Sequence, residues 1–176
     1  MEGLPTQGIL DRATLLHCIA ATPPLVEGLL HPEDQVQVSG IDLTLRSVAE
    51  FATPGRLGVE SSARVLSQTD GLPFADDGWL YLCPGSYLLT YNEVVHLPKS
   101  ISALAFPRSS LLRCGVSIHN AVWDAGYEGR SQSLMVVYNK QGFYIARDAR
   151  ILQLVFFVLS NPVEEGYGGA YQRENL

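Results

Sequence analysis

The sequence predicts a mainly β domain of the sandwich, jelly-roll or barrel kind. Three observations predict it. Apolar runs of strand length recur along the chain. Turn signals rich in Gly, Pro, Asp and Asn separate them at intervals of roughly 8–12 residues. Only one segment has a helical pattern. A length of 176 residues suits a single domain, 1–176, with an N-terminal helical segment (1–24) and a C-terminal arm (162–176).

Each element follows from local chemistry. Asp11 is the expected N-cap of the helix, Leu10 and Leu15 occupy hydrophobic-staple positions, and Leu15, Leu16 and Ile19 form the apolar stripe. Thr22-Pro23-Pro24 ends it. Residues 35–45 alternate apolar and polar and read as one strand with a bulge at Gly40. Residues 53–77 read as loops around one short strand, because Pro54-Gly55, Asp70-Gly71 and Asp76-Asp77-Gly78 are turn signals. Strands are expected at 79–82, 87–91, 94–97, 101–106, 116–118, 134–138, 143–146 and 151–159. The tail from Pro162 is rich in Gly and Tyr and reads as an arm outside the core.

Composition excludes several functions. With 47% hydrophobic and 17% charged residues, the chain is not disordered. The best apolar run, 151–159, is too short to span a bilayer and contains Gln153, so no membrane partner is expected. Glu2 stands where a signal peptide would carry positive charge, which makes the expected location cytoplasmic. Cys18, Cys83 and Cys114 are odd in number and widely spaced, against a disulfide framework or a closed zinc site. A net charge of −6 removes the basic footprint that long nucleic acid needs. A small anion remains possible, since a few arginines and backbone amides act locally.

Three segments could carry chemistry. Pro107-Arg108-Ser109-Ser110-Leu111-Leu112-Arg113-Cys114-Gly115 follows an apolar strand with hydroxyls flanked by arginines. That pattern suits phosphate, and it is equally an ordinary helix cap with surface arginines. In residues 119–130, Asp124-Ala125-Gly126 is a tight-turn signal between Trp123 and Tyr127. Asp124 is either a general base in a partly dry pocket or only an Asx-turn residue. Asp42 lies inside a strand, where Asp is depleted. Buried, it needs Arg46, Arg108 or a hydrated cation; otherwise it faces solvent. His17, His31, His96 and His119 lack metal-ligand spacing, and no P-loop, dinucleotide fingerprint, nucleophile elbow or zinc-deaminase pattern occurs.

Taken in register, five segments resemble the dUTPase / dCTP deaminase superfamily. They are Pro84-Gly85-Ser86-Tyr87-Leu88-Leu89; Asn92-Glu93-Val94-Val95-His96-Leu97-Pro98; residues 107–115; Val122-Trp123-Asp124-Ala125-Gly126-Tyr127-Glu128-Gly129; and Ile151-Leu152-Gln153-Leu154-Val155. The early Asp11-Arg12 and the strand Ile41-Asp42-Leu43 add to them, and the resemblance runs from Asp11 to Gln172. It implies a distorted jelly-roll, β-clip dUTPase-like fold with one N-terminal helix and short helical turns. It also implies a homotrimer whose nucleotide sites lie between subunits.

Carried over residue by residue, the resemblance sets Arg108, Ser109, Ser110, Arg113 and Gln153 against the triphosphate. Asn120, Ala121 and Trp123 would read the pyrimidine edge, and Tyr127 would pack on the deoxyribose. Tyr167, Tyr171 and Gln172 of the arm would close over the base. Asp124 would activate water. Mg2+ would be held by phosphate oxygens and waters, with Asp42 acting through a water.

The deaminase branch carries a Glu on the strand after Asp124. Depending on alignment, that position here is Val136 or Leu134, neither of which moves a proton. The expected activity is therefore dUTP diphosphatase. The alternatives are a dCTP deaminase using another acid such as Glu128, and a non-catalytic pyrimidine deoxynucleotide-binding protein.

Overall fold

A computed structural model describes residues 8–176. Residues 1–7, with Glu2 and the start of the expected helical segment, lie outside the described residues. The chain order begins β1 (Gly8–Ile9), α1 (Arg12–Ile19), β2 (Val26–Glu27), α2 (Pro32–Gln35), β3 (Val36–Gln37) and β4 (Gly40–Phe51). It continues with β5 (Thr69–Leu72), β6 (Trp79–Leu82), β7 (Gly85–Tyr91), β8 (Val94–His96), β9 (Ile101–Pro107), α3 (Ser109–Arg113) and β10 (Val116–His119). The last strands are β11 (Glu128–Gly129), β12 (Gln132–Val137), β13 (Phe143–Ala146) and β14 (Arg150–Val158).

The main sheet runs β1-β14-β4-β7-β12-β10, with β3 and β5 also on β4 and β9 on β14. Two small sheets, β11-β8-β2 and β13-β6, lie beside it. β4 links the halves. Its first part pairs with β14 (Ile41↔Leu154, Leu43↔Leu152) and its second with β7 (Val48↔Leu89, Ala49↔Leu88). A register irregularity between Leu45 and Ser47 marks the change of partner. An extra residue at such a point bends and twists the strand, so the sheet curls around its contents. Those contents are alternating inward residues such as Leu43, Leu45, Leu89, Tyr91, Met135, Leu154 and Phe156, all fully buried.

The helix forms where its cap predicts. Asp11 Oδ1 accepts the Thr14 N–H at 2.9 Å, and Leu10 and Leu15 are buried at the staple positions. Leu16 differs from the expected stripe: it is exposed. Asp11→Ala should lower the midpoint of denaturant unfolding, because the helix loses its N-cap acceptor, and an unchanged midpoint would show that the cap contributes nothing.

Residues 35–45 are not one strand bulged at Gly40. Pro32 at a helix start, followed by Glu33 and Asp34, favours a helical turn through Gln35. The chain then reverses over Val38 and Ser39, pairing Val36 with Ile41 and Gln37 with Gly40. Apolar alternation looks the same on both arms of so tight a hairpin, which is why the pattern reads as continuous.

Candidate active site

Strand β10 runs into an irregular segment whose buried aromatics fix an exposed acid. Trp123 exchanges backbone hydrogen bonds with Ala103 of β9 at 2.9 and 3.0 Å. The Tyr127 N–H donates to Asp124 O at 3.1 Å, closing the turn, and Gly126 sits at φ +87°, which a side chain would resist. The Leu97 N–H donates to Tyr127 O and the Gly126 N–H to Leu97 O. Trp123 and Tyr127 are thereby buried while Ala121, Val122 and Asp124 stay exposed. Asp124 is open to solvent in the single chain, not in the partly dry pocket expected for a base.

Asp124 lines a cavity of about 820 Å³ together with Ala121, Trp123 and Tyr127. The volume is in the range of small-molecule sites. Ser131 and Gln132 of the β12 region also line it, and Phe51, Arg56, Leu57, Val65 and Leu66 add a largely apolar wall. The C-terminal segment supplies Tyr167, Tyr171 and Glu174. Two buried polar atoms on lining residues, Trp123 Nε1 and Ser131 Oγ, have no partner. Each orphan costs about 1–3 kcal/mol.

The C-terminal segment is not a free arm. Tyr167 N–H donates to Ala125 O at 2.8 Å and Arg173 N–H to Glu128 O at 2.7 Å. Gln172 bridges the turn: its Nε2 donates to Gly126 O at 2.9 Å and its Oε1 accepts from the Glu128 N–H at 3.0 Å. Tyr167 packs against the core and meets Tyr127 edge to face, with ring centroids 5.8 Å apart. Arg130 holds the chain end, with Nε donating to Asn175 O at 3.2 Å and a further bond to Asn92 O.

The expected phosphate donors lie elsewhere. Arg108, Ser109, Ser110 and Arg113 stand on and before α3, and Gln153 lies on β14 opposite Asp42 of β4 and Phe106 of β9. None of them lines the cavity of its own chain. Ser109, Ser110 and Arg113 are exposed. Asp42 is buried and faces two cations: its Oδ2 is 3.2 Å from Arg108 Nε and 3.7 Å from an Arg150 nitrogen. Burial pushes its carboxyl above the ordinary range, and the two guanidiniums pull it back.

The Asn120 side chain is engaged within the fold. Its Nδ2 donates to Ala105 O at 3.0 Å and its Oδ1 accepts from Ser133 Oγ at 2.9 Å, tying the turn to β9 and β12. Glu128, the substitute acid of a deaminase, does not line the cavity; its Oε1 is 3.9 Å from both His96 Nδ1 and Arg173 Nε. On β12, Leu134 and Val136 share the face of Gln132 and bring no acid to it. Sequence reasoning missed Ser131, Glu174 and the apolar wall; the apolar Leu57, Val65 and Leu66 in a turn-rich stretch were its one available signal.

A curled antiparallel sheet with an acid-bearing turn at an aromatic cavity defines the class. Comparison with known proteins identifies it: a family model described as dCTP deaminase-like matches residues 9–159, and the chain belongs to that family. A protein of Methanococcoides burtonii named "Probable deoxyuridine 5'-triphosphate nucleotidohydrolase" is 45% identical over 96% of this chain and 99% of its own length. One of the same name from Archaeoglobus fulgidus is 46% identical over 86% and 89%. The 2'-deoxycytidine 5'-triphosphate deaminase structure from Agrobacterium tumefaciens has the same fold, with a TM-score of 0.64 at 22% identity. That match covers 88% of this chain and 49% of the deaminase chain, so this chain spans about half of that length. Among the described residues no helix is long and apolar enough to cross a membrane.

Proposed function

We propose that this protein hydrolyses dUTP to dUMP and pyrophosphate, with Asp124 as general base. One observation carries the reading: an open carboxylate, Asp124, on a rigid turn at the cavity, beside a strand that has Leu134 and Val136 where C4 chemistry on cytosine needs an acid. Relatives named as deoxyuridine triphosphate nucleotidohydrolases across nearly the full chain support it.

In this reading Asp124 takes a proton from water as the water oxygen bonds to the α-phosphorus. The bond from that phosphorus to the bridging oxygen breaks, and pyrophosphate leaves with the electron pair. Backbone groups around Asn120, Ala121 and Trp123 meet the pyrimidine edge. Tyr127 packs on the deoxyribose, and Tyr167, Tyr171 and Gln172 close the base side. Arg108, Ser109, Ser110, Arg113 and Gln153 serve the triphosphate from a neighbouring copy in a homotrimer. The exposure of Ser109, Ser110 and Arg113, and the absence of all five from the cavity lining of their own chain, support a shared site.

Among the described residues no cluster of three or more His, Cys, Asp or Glu side chains could cage a metal. Asp42 already faces two arginines. The residues fit an ion carried mainly by phosphate oxygens and waters, which is how Mg2+ commonly binds; it would neutralise charge on the pyrophosphate. A cytoplasmic location suits a free nucleotide substrate.

Assay of dUTP and dCTP side by side with Mg2+ tests the reading. The expected result is dUMP and pyrophosphate from dUTP; unaltered dUTP, or ammonia released from dCTP, would overturn it. The shared site has its own test. Co-expressed Asp124→Asn and Arg113→Ala chains should regain activity that neither has alone, because some mixed sites hold both intact residues. No regain would sink the subunit arrangement.

A further inference from the structure

The Tyr127 phenol is gripped from three sides. Its Oη donates to Glu174 Oε1 at 2.9 Å, across 47 residues of sequence. Its ring meets Tyr167 at an interplanar angle of 69°. Gly129 leaves the space it needs: a Cβ there would lie 2.7 Å from Tyr127 Oη and 3.2 Å from Glu174 N. Glu174 is itself held, since the Arg130 N–H donates to Glu174 O at 3.0 Å and Asn175 Nδ2 to Arg130 O at 2.9 Å. Both Tyr127 and Glu174 line the cavity that contains Asp124.

We propose that Glu174 is a positioning residue for sugar selection: by accepting the Tyr127 hydroxyl it fixes the ring against which the nucleotide sugar packs, and so sets the preference for 2′-deoxyribose over ribose. The inference rests on the proposed placing of the sugar at Tyr127. Its physical basis is twofold. A ring anchored at its hydroxyl and at its edge cannot tilt to admit one more oxygen. A phenol whose proton is committed to a carboxylate also has none left to donate to a 2′-hydroxyl. Remove the carboxylate, and the ring gains both the freedom to tilt and a proton to offer ribose. Burial pushes the Glu174 carboxyl up while the Tyr127 bond favours its ionised form, as expected for an acid enclosed with one committed donor.

The test measures dissociation constants for the α,β-imido analogues of dUTP and UTP, which report binding whether or not the protein turns over. Glu174→Ala should cut the deoxy preference roughly tenfold, the worth of one hydrogen bond to a charged acceptor. Tyr127→Phe, which keeps the ring and removes only the donor, should also cut it. Glu174→Gln should keep most of the wild-type preference, because its amide oxygen accepts the same bond; a role in folding alone would not move this ratio. An unchanged ratio in Glu174→Ala and Tyr127→Phe would overturn the inference, as would a wild type with no preference. A wild type that prefers the deoxy analogue yet releases no pyrophosphate from dUTP would remove the proposed hydrolysis and leave the Glu174 result to stand by itself.

Discussion

Asp124→Asn is expected to lower dUTP turnover about a thousandfold, the middle of the range for loss of a general base. Binding of dUTP should change little. Asn has nearly the shape of Asp, and the side chain is exposed on a turn held by the bond from Tyr127 N–H to Asp124 O and by the Trp123–Ala103 pairing. Neither interaction uses the carboxylate, so the melting temperature should stay close to that of the parent. The KM-against-kcat split is the readout: kcat collapses with KM nearly constant. A retained kcat would remove Asp124 from the chemistry, and a raised KM at full kcat would make it a binding residue.

Glu93→Ala is expected to produce the largest loss of stability, about 3 kcal/mol. Glu93 is fully buried in the turn between β7 and β8, and all its side-chain partners are donors. Its Oε1 accepts from Gln35 Nε2 at 2.7 Å and Thr44 Oγ1 at 2.6 Å, and its Oε2 accepts from the Thr44 N–H at 2.9 Å. The carboxylate thus joins α2, β4 and the β7–β8 turn. Alanine leaves several buried donors unpaired, and the melting temperature should fall by roughly 6–12 °C.

This pair of proteins should also differ with pH. Burial raises the Glu93 carboxyl above its ordinary 4.5, against the hydrogen bonds that favour its ionised form. An acid raised on folding contributes stability that is complete below 4.5 and is lost as pH climbs through the raised value. The gap between wild type and Glu93→Ala should therefore narrow over that climb. A gap that widens instead would mean the buried carboxylate is held ionised by its donors.

Local chemistry made most of the strands legible. Runs such as β9, β13 and β14 alternate or stay apolar between clear turn signals, and they appear within a residue or two of where the pattern places them. The N-cap was legible because Asp11 and Leu15 act over one turn. Gly126 and Asp124 marked the turn at 124–127 for the same reason. What escaped depends on long-range contacts. Glu174 reaches Tyr127 across 47 residues, and Glu93 reaches Thr44 across 49 and Gln35 across 58. The wall from Phe51 to Leu66 has no period to read, since its apolar residues stay exposed and its order comes from the Arg56–Val65 pairing. The Gly- and Tyr-rich tail has the composition of an arm, and the groups it docks on, from Lys99 to the 125–130 segment, are far away in sequence.

The most direct test of dUTP diphosphatase activity is hydrolysis in 18O-labelled water with dUTP and dCTP present together, followed by mass spectrometry of every product. Attack at the α-phosphorus puts label in the phosphate of dUMP, none in pyrophosphate, and leaves the cytosine ring of dCTP unlabelled and intact. Label in pyrophosphate, label at C4 of a uracil formed from dCTP, or recovery of dUTP unchanged would contradict it.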